Sequence, residues 1–483
     1  MPLEAPAPLR HTHPLAVLVD DLRQERVSGS AAYPPGETNF SVARTKRFIE
    51  DPCGLLVDSY ERFGPMFTLR VFHGKIVFMV GPAANHYVTV SNASNFTTRE
   101  SHFRTLVEII GDGILTTDGD YHRDMRRLVL PALHSESVVS YLDIMVEETE
   151  RALESFVPGR TVNVYAWARS LALRIASRTL FGLDPDGERA RAADMAGVLE
   201  QMGTLPPLSG SLRGPGTPWA RFMRNMRKLD GSLVAEIAER RARGGGGGTD
   251  VMSLLIDARD EDGRPLSDVQ IRDQTMTLLL SGRDTTALTL AFLLHELARH
   301  PEVVERIVVE QEECLEGGVP SAKQLTGELV ELEKALDETL RMYPPAWIGP
   351  RRATEAFEFE GLTAPANAYV DYCPLASHHL PEVFPEPKRF DPERFTPEAK
   401  AARPKGAYVA FGGGSRTCIG MRFALLQIRT IATLMLKRFE LELPPDFSLK
   451  VSLLPLLAPK EDVPVIVSER TARRDRVPVV AGS

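Results

Sequence analysis

The run from Ser267 to His300 limits the fold more than any other part of the chain. It carries a helical pattern that Pro301 closes. Its middle, "TMTLLLSGRDTTALTLAFLL" at 275–294, is apolar on nearly every face. A helix with no polar face has to pass through a core rather than lie on one. A chain of 483 residues is long enough to build a core around it. Further amphipathic patterns occur at 121–133, 139–156 and 332–342, and an apolar helix is expected at 419–439. β-structure is sparse. "FTLRVFHGKIVFMVG" at 67–81 alternates like a hairpin with "HGK" as its turn, and short strand-like pieces follow at 355–372. The expected class is mainly α (α+β), with a large helical part and a smaller β-rich part.

Residues 1–30 read as an aperiodic, mobile leader, and 470–483 as a polar tail. "GGGGG" at 244–248 breaks two helical stretches. Five prolines in 381–395 favour a fixed coil over regular structure. With no internal repeat and no convincing linker, 31–469 reads as a single domain. The formal net charge of −8 argues against a general nucleic-acid binder. The four cysteines (Cys53, Cys314, Cys373 and Cys418) are widely spaced, which argues against a disulfide framework and a zinc site. No stretch of about 20 apolar residues suggests a transmembrane anchor. A monomer in a reducing cytoplasm is the simplest expectation.

One cysteine sits in an unusual place. "FGGGSRTCIG" at 411–420 puts Cys418 behind three glycines and just ahead of an apolar helix. The helix start favours a thiolate electrostatically, and the glycines let backbone amides approach the sulfur. A flat cofactor can lie on a loop from which no side chains rise. A plain buried cysteine, a phosphate loop and a cysteine nucleophile compete with that reading. The stretch lacks the Gly-Lys-Ser/Thr ending of a nucleotide loop and shows no paired base nearby.

Phe411, Gly414, Arg416, Cys418 and Gly420 match F-x-x-G-x-R-x-C-x-G, so the chain resembles the cytochrome P-450 family of haem-thiolate monooxygenases. The resemblance covers about 38–468 and implies the cytochrome P-450 fold, with haem b (iron protoporphyrin IX) between the helical and β-rich parts. It makes Cys418 the iron ligand, with Phe411 and Gly412 in the cofactor-binding loop. Glu338 and Arg341 in "ETLR", with Arg394 in "PERF", resemble a structural cluster that locks the Pro-rich coil. "SGRDTT" at 281–286 resembles the oxygen-binding groove. There Gly282 leaves room for dioxygen, Thr285 hydrogen-bonds it during reduction, and Asp284 relays protons through water. Ser281 departs from the usual Ala or Gly. His122 and Arg126, four apart on one helix face, are implied to bind haem propionates, together with Arg416 and either Arg351 or Arg352.

The implied reaction inserts one atom of O2 into a small apolar substrate, a lipid, terpenoid, steroid or aromatic. Electrons are expected from a separate ferredoxin or flavodoxin with an NAD(P)H-dependent reductase. Arg123, Arg127 and Arg422 are candidates for a cationic docking patch. The implied pocket draws on Phe103, Leu106, Met202, Leu279, Trp347, Ile348, Leu453 and Leu454, under a lid at 205–218. A peroxygenase, an isomerase or dehydratase of the same fold, and a haem sensor are the competing functions. Asp284 and Thr285 speak against the first, and a sensor has no need of them.

Overall fold

In the computed structural model, residues 4–9, 12–27, 32–183, 213–315, 317–453 and 455–470 are described. Most of the expected lid, with Met202 and Leu454, lies outside them. The longer helices are α1 (Pro14–Val27), α2 (Val42–Glu50), α3 (Pro52–Phe63), α4 (Gly119–Val129), α5 (Leu142–Leu153) and α6 (Val164–Phe181). They continue with α7 (Pro218–Ala242), α8 (Asp268–Arg299), α9 (Pro301–Leu315), α10 (Val330–Met342) and α11 (Met421–Arg438).

The apolar run is one continuous helix, α8, of 32 residues. Ser267 and Gln270 close its N-terminus in a reciprocal capping box. Pro301 starts α9 instead of extending α8, because a proline nitrogen has no proton to donate to the preceding turn. Nearly every residue from Ile271 to Leu279 and from Thr286 to Leu297 is buried. That follows from an apolar surface on all sides. α6, α7, α10 and α11 pack around it.

The six-stranded sheet runs β1-β2-β3-β9-β6-β4. Its strands are β1 (Gly36–Glu37), β2 (Met66–Val71), β3 (Gly74–Met79), β4 (Phe96–Thr97), β6 (Gly349–Ala353) and β9 (Tyr369–Tyr372). β5 (Arg160–Asn163), β10 (Phe439–Glu442) and β13 (Pro464–Glu469) form a second sheet. β7 (Phe357–Phe359) pairs with β8 (Leu362–Ala364), and β11 (Val451–Ser452) with β12 (Ala458–Pro459). The expected hairpin is β2–β3, but its turn is one residue earlier than expected. Val71 pairs with Gly74, so Phe72 and His73 make the turn, with Phe72 at φ 53°.

Alternation along the strands divides the core. Phe67, Leu69, Ile76 and Phe78 face Phe48, Phe292 and Trp347, whereas Met66, Val77, Met79 and Val370 form a cluster on the opposite face. The third and largest cluster is helical, centred on α6, α8 and α11. The class is mainly α with a smaller β part, as expected.

The leader differs from expectation at 14–27, which form α1. Leu15, Val19 and Leu22 stand on its outer side, exposed by 57%, 47% and 44%. Asp21 and Glu25 turn inward to Arg104 and Arg70. Apolar spacing did not mark the helix here, because charged side chains make the inward contacts that anchor it.

Candidate active site

The cysteine loop is shaped by two glycines. Gly412 and Gly414 have φ of 71° and 61°, a region that side chains disfavour. Gly414 is doubly constrained, since a Cβ there would lie 2.0 Å from the Thr89 carbonyl oxygen. The Cys418 amide donates to the Phe411 carbonyl at 2.9 Å and closes the loop. Phe411 packs half-buried on the helical core. Cys418 retains open surface although protein surrounds it, so it faces inward.

Burial pushes the Cys418 thiol above its ordinary value of 9.0, against the pull of the Gly420 and Met421 amides and of Arg126. The expected thiolate is therefore not favoured by the loop alone. The amides act as anticipated, but desolvation of the charged sulfur outweighs them. A coordinated metal ion reverses that balance, because it deprotonates a thiol outright.

A cationic cluster stands beside the loop. α4 presents His122 and Arg126 one turn apart, and Arg416 and Arg351 act on the same imidazole. Burial first, then Arg416 and Arg126, lower His122 to about 4, so its ring is neutral at pH 7. Arg126 makes no ion pair among the described residues, and Arg351 donates only to the Pro350 carbonyl at 2.9 Å. Arg416 is already engaged by the Asp118 carboxylate and the Thr117 carbonyl. That partner was not expected from sequence. Asp118 also accepts from the Thr98 amide at 2.9 Å and the Arg99 amide at 2.8 Å. Asp371 lies near Arg351, but burial raises its carboxyl to about 7, leaving it partly neutral. Three guanidiniums thus face one full carboxylate. The excess and the unpartnered donors suit a ligand bearing two carboxylates. Strand alternation separates Arg351 from Arg352, which turns to Tyr369 on the other face at 3.2 Å.

On α8, Ser281 is exposed between the buried Leu279 and Arg283. A Cβ at Gly282 would meet no atom within 4 Å. Thr285 donates to the Ser281 carbonyl at 2.6 Å, and the Ser281 hydroxyl bonds back to the Thr277 carbonyl. Asp284 does not meet Thr285. It points to α6, where Arg169 Nε lies 3.3 Å away. Sequence spacing on α8 gave no hint of Arg169, which lies on another helix.

The Pro-rich coil is locked as anticipated. Arg341 binds Glu338 at 2.6 and 2.8 Å with both side chains fully buried, and Arg394 Nε lies 3.4 Å from Glu338. His378, not foreseen, extends the cluster to the cysteine loop. Its Nδ1 lies 3.2 Å from the Arg341 carbonyl oxygen, and its Nε2 accepts the Val409 amide at 3.0 Å. Accepting at Nε2 places the proton on Nδ1.

Two expected features are revised. Leu279, Trp347 and Leu453 are buried in apolar packing, so they support the walls rather than face a ligand. Trp347 packs 5.7 Å from Phe48 between ring centres. Arg123 is paired with Asp120 and Asp124, and Arg127 with Glu261 and Asp124, so these two arginines make no cationic patch.

The glycine-shaped cysteine loop, the excess of cations beside it and the open space at Gly282 on the long helix fit a haem-thiolate oxygenase. The chain belongs to the cytochrome P450 family, whose model matches residues 34–463. It is 34% identical to cyclooctat-9-en-7-ol 5-monooxygenase of Streptomyces melanosporofaciens, over 71% of this chain and 75% of that one. It is 32% identical to pentalenene oxygenase of Streptomyces avermitilis, over 70% and 76%. A retinoic-acid-bound cyanobacterial CYP120A1 shares the fold with TM-score 0.81 and 26% identity, covering 91% of this chain and 99% of the other. The chain is thus a cytochrome P450 monooxygenase, and its cofactor is haem b. Among the described residues no helix is long and apolar enough to cross a membrane.

Proposed function

We propose that Cys418 is the thiolate ligand of the haem and that the substrate is an apolar terpenoid. The inward cysteine beside an excess of positive charge carries the first part. When bound, the haem supplies reductive activation of dioxygen, with one atom entering the substrate and the other leaving as water. The chain's own residues divide the remaining work. Gly412 and Gly414 hold the loop so that the sulfur faces inward. Arg126, Arg351 and neutral His122 offer donors to the propionates, and Arg416 is shared with Asp118. Thr285 and Asp284 manage protons, with Arg169 holding the Asp284 carboxylate on the far side of α8.

Replacing Asp284 by Asn is expected to lower product formation about a hundredfold, a typical loss for a removed proton donor. Oxygen uptake is expected to fall less, with peroxide making up the difference. The ratio of product to peroxide checks this, and unchanged coupling removes Asp284 from the proton route.

The terpenoid reading is supported by the names of the two Streptomyces relatives and by half-buried Phe103, Leu106 and Ile348 along the implied pocket. Titration with sesquiterpene and diterpene olefins, against aromatic and steroid controls, tests it through the spin-state shift of the haem. Shifts confined to the controls overturn it. Electrons are assigned to a separate ferredoxin or flavodoxin with its NAD(P)H-dependent reductase. Because Arg123 and Arg127 are locally neutralised, replacing them together with Asp120, Asp124 and Glu261 by neutral residues is expected to change the low-salt reduction rate less than about threefold. Stopped-flow reduction measures it, and a drop of a hundredfold would restore them as a docking patch.

A further inference from the structure

α1 is held in an uncommon way. Among the described residues it contributes none to the three apolar clusters; Leu15, Val19 and Leu22 face outward, and Ala16, Val17 and Leu18 are half-buried. Its attachments are ionic. Asp21 accepts from Arg104 Nη2 at 2.9 Å and from the Tyr369 hydroxyl at 2.8 Å, and lies 3.1 Å from His73 Nε2. Glu25 binds Arg70 and Lys75. The side chain of Asp21 is only 10% exposed.

The cage around that carboxylate is braced by residues outside α1. His102 stacks on the Tyr369 ring at 4.3 Å and 12°. Arg352 lies 4.7 Å over the same ring and donates to the Tyr369 hydroxyl. Arg104 bonds that hydroxyl as well. Two guanidiniums on the oxygen make its proton a stronger donor to a carboxylate. A small cleft of about 40 Å³ opens beside the cage, bordered by Asp21, Glu25, His73, Lys75, Arg352 and Tyr369.

We propose that Arg104, Tyr369 and His73 form a carboxylate-binding site that α1 fills with Asp21, and that an apolar carboxylic acid displaces it. Exchange of one carboxylate for another never leaves Arg104 buried and unpaired, which is the costly outcome. Protonation is not the release. Burial raises the Asp21 carboxyl, but His73, Arg104 and Tyr369 hold it below its ordinary 3.8, so it stays ionised at neutral pH. Glu25, on the same helix, is likewise held low by Arg70 and Lys75 against burial. The carboxylate half of the inference stands on the cage alone. The apolar half rests on the terpenoid reading above, with Tyr369 joining the cage to an apolar cluster.

Farnesoate and farnesol share a skeleton and differ in charge. Calorimetric titration of the haem-loaded full chain compares them on wild type, Asp21→Asn, Arg104→Gln and Tyr369→Phe. Farnesoate is expected to bind Asp21→Asn about tenfold more tightly than wild type, and Arg104→Gln about tenfold more weakly. Tyr369→Phe removes one hydroxyl without emptying the core, and is expected to weaken farnesoate but not farnesol. Farnesoate is also expected to speed hydrogen exchange in 14–27 of the wild type. Equal affinities across the variants, parallel changes for both ligands, or no farnesoate binding would overturn the site. A failure of the terpenoid reading appears instead in the spin-state titration with the olefins, and leaves the comparison of wild type with Asp21→Asn and Arg104→Gln intact.

Discussion

Cys418→Ala is expected to lose the strongly red-shifted Soret band of the reduced carbon monoxide complex, and all oxygen-dependent product with it. The thiolate is a negative, polarisable ligand, and nothing else in the loop replaces it. Gly412, Gly413, Gly414 and Gly420 carry no side chain, and Arg416 is bound to Asp118. His122 is an imidazole of the site, but it belongs to α4 with the propionate donors. The fold is expected to survive, since the loop is closed by the Cys418 backbone amide rather than by its sulfur. Circular dichroism and haem content separate loss of ligand from loss of fold. A variant that keeps the red-shifted band would exclude Cys418 as the ligand.

The second large effect is structural. Arg341→Ala leaves Glu338 buried without its bidentate partner. Breaking a buried pair from one side costs about 3–5 kcal/mol, a large part of the total stability of a domain. The loss also cuts the bond from Arg341 to the His378 carbonyl at 2.9 Å, and so loosens the route to Val409. The expected result is a lower denaturation midpoint and poor haem retention at once. Arg389→Ala, which removes the exposed partner of Glu386, is the control and is expected to change little. Equal stability of the two variants would show that the buried cluster does not lock the coil.

How much could be read beforehand depended on how local each cause was. The course of α8 was legible because an all-round apolar pattern has one stable solution, burial on every side. Its stop at Pro301 was legible because proline cannot continue the backbone ladder. The Glu338–Arg341 pair followed from i, i+3 spacing, and Arg394 joined it through the resemblance. α1 was misread. The segment reads as aperiodic because no buried apolar stripe marks it, and the ion pairs that hold it join residues far apart in the chain.

The sequence by itself therefore determined the class of fold, the passage of one helix through the core, and the motif that marks the cofactor loop. These rest on neighbours along the chain, on helix period and on backbone permissions of glycine and proline. Tertiary structure alone decided which charges meet. It gave Arg416 to Asp118, Asp284 to Arg169, and Asp21 to Arg104 and Tyr369. It turned Arg351 toward the cation cluster and Arg352 toward Tyr369. It also set the Cys418 thiol against its own helix start, because desolvation depends on everything packed around the sulfur. Pairing and burial are properties of distance in space, and a carboxylate 83 to 298 residues from its arginine leaves no local trace.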